Sequence, residues 1–340
     1  MAHQFRSHVQ LLILVGLCLV LFTGCNPANN IPTSTPTPEA TAIPPTSTAA
    51  PAEIVWVDPQ AASGDSLTTT ISDFAAANSL QYRTVTALDP SGITSSTKIV
   101  VLRSEPANLS GLTAAASVTQ FILLGSSSTT AAANLSVIQS DPSGEAFMAG
   151  YLTMLIAEDW RAGGLLTSDG SLGANYTDAF ENGGRFVCGK CNPFYAPVVS
   201  FPVMAAEPTS SDSAVWLVAA GTLTQDWLSA AFIDPAIAST DVVNATNSHG
   251  LFSQAVSLIS TDAVAQDTGA DWAALLSVDY SASLKKLLPQ VLSGQGGITM
   301  KAQITLTSFN EDIVTPAKQS LFNQTAADLA AGLIEPLSVQ

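Results

Sequence analysis

Apolar residues along this chain fall either into short unbroken runs or into sets spaced three and four apart. "EIVWVDP" from Glu53, "TKIVVLRS" from Thr97 and "TQFILLGSS" from Thr119 are unbroken runs closed by polar residues, the pattern of strands covered on both faces. "YRTVTAL" from Tyr82 alternates and reads as a further strand. Between these runs, "DSLTTTISDFAAANSL" places Leu67, Ile71, Phe74 and Ala75 at helical spacing behind Asp65 or Ser66 as N-cap. "ANLSGLTAAAS" predicts a short helix. "SGEAFMAGYLTMLIAEDW" predicts a long one, with Phe147, Tyr151, Met154 and Leu155 on one side.

The pattern then starts again. "AGGLLTSDG" from Ala162 predicts a strand, and "ANYTDAFENGGRFVCG" a helix carrying Tyr176, Ala179, Phe180 and Phe186. "YAPVVSFPV" and "SAVWLVAAG" read as strands, and "TQDWLSAAFI" as the start of a helix. The weakly periodic segment from Asp234 to Gly250 reads as a loop-rich insertion. Then follow the strand "AVSLIST", the helix "YSASLKKLLPQVLSG", the strand "KAQITLTSF" and a closing helix from Pro316. Strands separated by helices predict an α/β architecture of mostly parallel sheets flanked by helices. Residues 54–340 exceed a usual single domain, so two lobes are expected. Lobe 1 takes about 54–160 plus C-terminal segments, and lobe 2 about 162–260.

The first 24 residues have another character. Arg6, with His3 and His8 nearby, precedes the apolar core "VQLLILVGLCLVLFTG", the layout of an export signal. That core is short for a bilayer, which needs about 20 residues in a helix. It ends in "FTGC", which resembles a bacterial lipobox and makes Cys25 the expected lipid-bearing (palmitate-type) N-terminus of a mature lipoprotein. An uncleaved anchor is the other reading, and both place the rest of the chain outside the cytoplasm. Residues 25–53 are rich in Pro, Thr, Ser and Ala with little to bury, an extended tether. At about 3.1 Å per residue it reaches roughly 85 Å.

The whole chain has 11 basic and 27 acidic residues, a net charge of −16; loss of Arg6 with the signal makes this −17. No basic cluster larger than Lys285-Lys286 is present, which argues against nucleic acid as a partner. His249 is the single histidine beyond the signal, in a polar loop sequence, and no G-x-S-x-G occurs. Hydrolase triads and His-rich metal sites therefore lack their parts, and neither an enzyme nor a cofactor is expected. Cys188 and Cys191 in "RFVCGKCNP" have no second C-x-x-C for a structural zinc. They read as a local disulfide in an exported protein, with a redox pair as the alternative.

In open α/β sheets, ligands bind beyond the carboxyl ends of the strands. That rule selects Asp58, Arg103, Ser104, Gly125, Ser126, Thr167, Ser168, Asp169, Gly221, Thr222, Thr261 and Asp262. Arg103 suits a ligand carboxylate or an ion pair with Glu105. Asp58 is a ligand contact or a turn residue before Pro59, and Asp169 a ligand or loop residue. Trp56 and Trp216 read as core, whereas Trp227 and Trp272 are candidate stacking platforms.

Three stretches resemble the basic-membrane-protein family of bacterial ABC-transporter substrate-binding lipoproteins, which includes purine-nucleoside receptors. They are "GEAFMAGYLTMLIAEDWRAGGLLTSDGSLGANYTDAFENGGRF", with an internal Ala-Gly and an F-x-x-G at Phe180 and Gly183, then "VWLVAAGTLTQDWLSAA", and the closing part from "LLSVDYSASLKKLLPQVL" onward. The resemblance implies a type I periplasmic-binding-protein fold, two lobes closing on a small molecule that is passed to an ABC permease. By position, it brings Gly221 and Thr222 to the ligand and makes Asp262 an acceptor for ribose hydroxyls. The family's acidic element after the first strand is missing, and Asp279 stands where a basic residue is common, so a nucleoside is only the family default. A ligand-sensing module that signals to a membrane partner is the alternative to transport.

Overall fold

The computed structural model describes residues 50–60, 65–170, 173–251, 254–264 and 268–338. The export signal, Cys25 and the tether as far as residue 49 lie outside the described residues, as does the side chain of His249. Among the described residues, no helix is long and apolar enough to cross a membrane.

The first half runs β1 (Glu53–Val57), α1 (Ser66–Ala77), β2 (Gln81–Val85), β3 (Thr97–Leu102), α2 (Leu109–Ala115), β4 (Gln120–Leu124), β5 (Leu135–Gln139) and α3 (Pro142–Ile156). The middle holds β6 (Ala162–Thr167), α4 (Asn175–Cys188), β7 (Val203–Glu207), α5 (Ser213–Thr224), β8 (Ala230–Ile233), α6 (Thr240–Thr246) and β9 (Ser257–Thr261). The chain closes with β10 (Trp272–Asp279), α7 (Tyr280–Leu292), β11 (Thr299–Lys301), β12 (Gln303–Phe309) and α8 (Pro316–Ala330).

Two six-stranded sheets result, ordered β2-β1-β3-β4-β5-β11 and β7-β6-β8-β9-β10-β12. Every pairing is parallel except β10 with β12. Helices cover both faces of each sheet. In the first, α1 and α7 pack with Ile54, Trp56 and Ile99, while α2 packs with Val55, Val100 and Phe121. In the second, α3, α4 and α8 cover one face, and α5 and α6 the other. The expected two-lobed, mostly parallel α/β architecture is what the chain adopts.

Two element assignments change places. "SAVWLVAAG" is not a strand but most of α5, and "AAFI", read as helix, is β8 between β6 and β9. Unbroken apolar runs carry no period that separates a buried strand from a buried helix. Twelve residues behind Asp212 suit a helix, whereas four residues after a turn at Trp227 (φ 53°) suit a strand. β5 and β10 have no counterpart among the expected elements, the expected strand "YAPVVSFPV" is irregular until β7 starts at its last residue, Val203, and α6 lies within the expected loop insertion.

The chain passes between the lobes three times: from β5 into α3, from β10 into α7, and from β11 through Ala302 into β12. These crossings hold one another. The Ala302 N–H donates to the Gln139 carbonyl (2.9 Å), Ser283 Oγ donates to the Lys301 carbonyl (3.0 Å), and Lys301 Nζ meets Asp141 Oδ2 at 2.7 Å. Asp141 also caps α3, accepting from the Gly144 N–H at 3.0 Å. Burial would raise its pKa, but hydrogen bonds from Lys301, Ser143 and Gly144 outweigh that and hold the carboxyl below its ordinary range.

α3, the first crossing helix, lies backbone to backbone against α4. A Cβ on Gly150 would stand 1.9 Å from the Phe180 carbonyl oxygen, and one on Gly183 1.9 Å from that of Phe147. These are the glycines of the Ala-Gly and F-x-x-G elements, so their side-chain-free approach is what that spacing encodes. Gly150→Ala or Gly183→Ala forces the helices apart and is expected to cost about 2–3 kcal/mol. Gly221→Ala, inside α5 with nothing within 4 Å of the added methyl, is expected to stabilise by about 0.5–1 kcal/mol. Urea unfolding of the three variants from residue 50 onward checks both signs.

Candidate functional site

The crossings bring residues from the carboxyl ends of the two sheets together around Glu145 and Tyr280, the candidate cleft. On the side of the first sheet, Asp58 follows β1 and Arg103 follows β3. Asp58 is fully buried, and its Oδ1 meets Arg103 Nε at 2.9 Å and accepts from the Gln60 N–H at 3.0 Å. Arg103 also pairs with Asp65, the N-cap of α1, and its guanidinium lies over the Trp56 ring, 5.1 Å from the centroid. Glu105 instead takes hydrogen bonds from Ser126 Oγ (3.2 Å) and Thr129 Oγ1. Arg103 therefore pairs with Asp58 and Asp65, not with Glu105 as one reading expected. Ser104 is exposed beside it, and Ser126, after β4, braces the turn by donating to Thr129 Oγ1 at 2.7 Å.

The floor is the hinge itself. Ser140 ends the β5 crossing, Glu145 sits in the first turn of α3, and Tyr280 opens α7. Asp279, where the family often has a basic residue, caps α7 by accepting from the Ser281 N–H at 2.8 Å. A Cβ on Gly125 would lie 3.3 Å from the Tyr280 hydroxyl, which fixes that hydroxyl at the ends of β4 and β5. Burial raises the Tyr280 pKa, a hydrogen bond with Ser140 opposes the rise, and the Glu145 charge adds to it.

On the side of the second sheet, Thr167 ends β6, Asp234 follows β8 and Asp262 follows β9. Thr167 Oγ1 donates to Asp234 Oδ2 at 2.8 Å, and the Ala236 N–H donates to Oδ1 at 3.0 Å. Tyr176, from the first turn of α4, has its pKa pushed well up by burial, by the charges of Asp234 and Glu145, and by a hydrogen bond with Asp234. Glu145 is the hub. Burial, then the charges of Asp262 and Asp234, raise its pKa to about 7.

The strand-end rule thus picks Asp58, Arg103, Ser104, Ser126, Ser168 and Asp262 at strand ends in this structure. Asp169 lies one residue further on, where its Oδ1 accepts from both the N–H and the hydroxyl of Thr209 at 2.7 Å, tying the β6 and β7 loops together. Gly221 and Thr222 do not follow a strand: both are inside α5, and Thr222 Oγ1 donates back to the Val218 carbonyl at 2.9 Å. The cause is the helix read as a strand. Trp227 and Trp272 precede β8 and open β10, at the amino ends of their strands and away from the cleft. Trp56 and Trp216 are core, as expected. Glu145, Tyr176, Asp234 and Tyr280 escaped sequence reasoning. Asp234 follows a strand read as helix, and the other three open helices rather than end strands. Cys188 and Cys191 are joined by a disulfide where α4 ends.

The pKa of Glu145 sets a pH dependence. A carboxyl raised from 4.5 to about 7 in the folded state costs stability above pH 7, and that cost vanishes below about pH 4.5. Glu145→Gln should therefore match the parent near pH 4.5 and exceed it by about 1–3 kcal/mol at pH 8, after allowance for partial exposure. Paired denaturation curves at the two pH values decide it; a pH-independent difference would contradict the assignment.

A scan against protein-family models finds no match, and a search of curated proteins by sequence finds none. Solved structures do match by shape. An ABC transporter solute-binding protein from Conexibacter woesei superposes with a TM-score of 0.53 at 14% identity, covering 84% of this chain and 98% of its own. A sugar-binding protein of a sugar ABC transporter from Bacillus halodurans gives 0.50 at 15%, covering 77% and 98%. A transcriptional activator of the comK gene from the same organism gives 0.54 at 9%, covering 84% and 100%. At such identities the likeness is one of fold, and the fold is that of type I periplasmic-binding-like proteins.

Proposed function

We propose that this protein is an extracytoplasmic solute-binding protein, tethered by a lipid on Cys25, that closes its lobes on a small polar molecule and delivers it to an ABC permease. One observation carries the reading: two sheets present their carboxyl ends to a common cleft, across a hinge of three crossings, with charged and hydroxyl side chains at those ends. Ligand would favour the closed form because only there do both walls contribute contacts. Similarity of fold to ABC-transporter solute-binding proteins supports the same reading. In this arrangement Arg103, Ser104 and Ser126 line one wall, with the buried Asp58 orienting Arg103 from behind, and Ser168, Asp169 and Asp262 line the other. A nucleoside, the family default, belongs to the class of solute proposed, with its ribose hydroxyls on Asp262.

Two measurements test it. Native mass spectrometry of the protein, before and after denaturation, should release a small molecule, and adding that molecule should shrink the radius of gyration in solution scattering. A protein that holds nothing and never closes would favour a sensor of protein partners. Labelled palmitate should enter the full chain in a bacterial host and be absent from Cys25→Ala; equal labelling of both would refute the lipid anchor.

A further inference from the structure

A second groove lies at the other end of lobe 2, where the strands of its sheet begin. It measures about 420 Å³, within the size range of small-molecule sites, and is lined chiefly by Trp160, Phe194, Tyr195, Ala157, Glu158 and Asp159. Buried Arg161 builds it. Its guanidinium pairs with Asp159 at 3.3 Å, donates to the carbonyls of Asp226 (2.7 Å) and Tyr195, and lies over the Phe201 ring, 5.6 Å from the centroid. Asp159 in turn accepts from the Phe194 N–H at 2.7 Å, and the Cys188–Cys191 disulfide closes the turn before this loop. Of the five non-glycine residues with positive φ among the described residues, four stand around Arg161 or at that disulfide: Asp159 (50°), Trp160 (62°), Cys191 (47°) and Trp227 (53°). A left-handed backbone is costly for a tryptophan and is kept only where its surroundings impose it. This framework holds Phe194 and Tyr195 out in solvent, 86% and 55% exposed.

We propose that this groove is a second binding site, for a quaternary ammonium ion such as choline, with Glu158 matching its charge and Trp160, Phe194 and Tyr195 around its methyl groups. Nothing in this assignment depends on the cleft at the opposite end of the lobe. The charges at the groove favour a cation. Asp159 neutralises Arg161, which leaves Glu158 as the net charge, and among the described residues the Glu158 carboxylate is in no ion pair. Ala157 caps the C-terminal end of α3, the negative pole of a 15-residue helix. Aromatic rings add their own attraction for a cation. A primary ammonium would bring N–H donors that need acceptors, and most acceptors here are taken. Asp159 is spent on Arg161 and the loop, and the Glu158 carbonyl accepts from Ser229 Oγ at 2.9 Å. A sugar, with hydroxyls all round, meets the same shortage. A quaternary nitrogen has no N–H to satisfy, and its methyl groups suit apolar rings.

Tryptophan fluorescence and thermal shift of the purified protein test it, with choline, tetramethylammonium, ethanolamine, betaine and the neutral carbon isostere of choline as probes. Choline and tetramethylammonium are expected to saturate below about 10 mM. The neutral isostere, ethanolamine, and betaine with its carboxylate opposed by Glu158 should each bind about tenfold more weakly. Glu158→Gln and Phe194→Ala, both at exposed positions, should keep the parent's Tm without ligand and lose about tenfold in choline affinity. Equal binding of the neutral isostere overturns the role of charge. Choline binding that is indifferent to both variants overturns the assignment to this groove, and no saturation overturns the site altogether. Phosphatidylcholine vesicles, sedimented with the parent and with Phe194→Ala so that any N-terminal lipid cancels, separate the source of the head group. Vesicle binding that needs Phe194, without binding of free choline, overturns the free ion as the ligand.

Discussion

The close approach of α3 and α4 is the constraint on which the cleft depends. Two backbones touch where Gly150 meets Phe180 and Gly183 meets Phe147, with no side chain between them. That contact sets the spacing of two helices that both begin at the cleft, α3 carrying Glu145 and α4 carrying Tyr176. Because α3 is also a crossing, the same contact fixes how the chain leaves the first sheet and joins the core of the second. A methyl group at either glycine displaces two cleft side chains together.

Most of lobe 1 and the outline of lobe 2 were legible in the sequence because parallel strands covered on both faces are written as unbroken apolar runs. Ile99 to Leu102 and Phe121 to Leu124 are such runs, and each is buried throughout. The same property hid α5 and β8, since an apolar stretch without period looks alike in either conformation. Losing β8 meant losing Asp234, which follows it, and misplacing Gly221 and Thr222. Glu145 and Tyr280 were hidden for another reason. They open helices that cross between the sheets, and no local pattern says that a helix start lies beside the strand ends of both sheets until the crossings are known. Arg103 and Asp58 were picked by position alone; their mutual pairing depends on β1 and β3 being neighbours, which is a fact of strand order.

The hinge and the cleft floor are one structure. Asp141 and Glu145 are four residues apart on α3, yet their environments differ in sign. Lys301 matches the charge of Asp141 and, with Ser143 and Gly144, keeps it ionised. Glu145 has the charges of Asp234 and Asp262 for neighbours and is pushed toward the neutral acid. One carboxylate pins the crossings together, and the other sits between its charged and neutral forms near pH 7.

Strand order also governs the time at which this protein can fold. Neither sheet is complete until β11 and β12 arrive, and these two edge strands are consecutive segments separated only by Ala302. The first lobe waits for Thr299–Lys301 although its other five strands end at Gln139, and the second waits for Gln303–Phe309. A chain threaded through a membrane N-terminus first would thus emerge almost whole before either lobe could close. Completion of both lobes in one late step follows from where the last two strands lie.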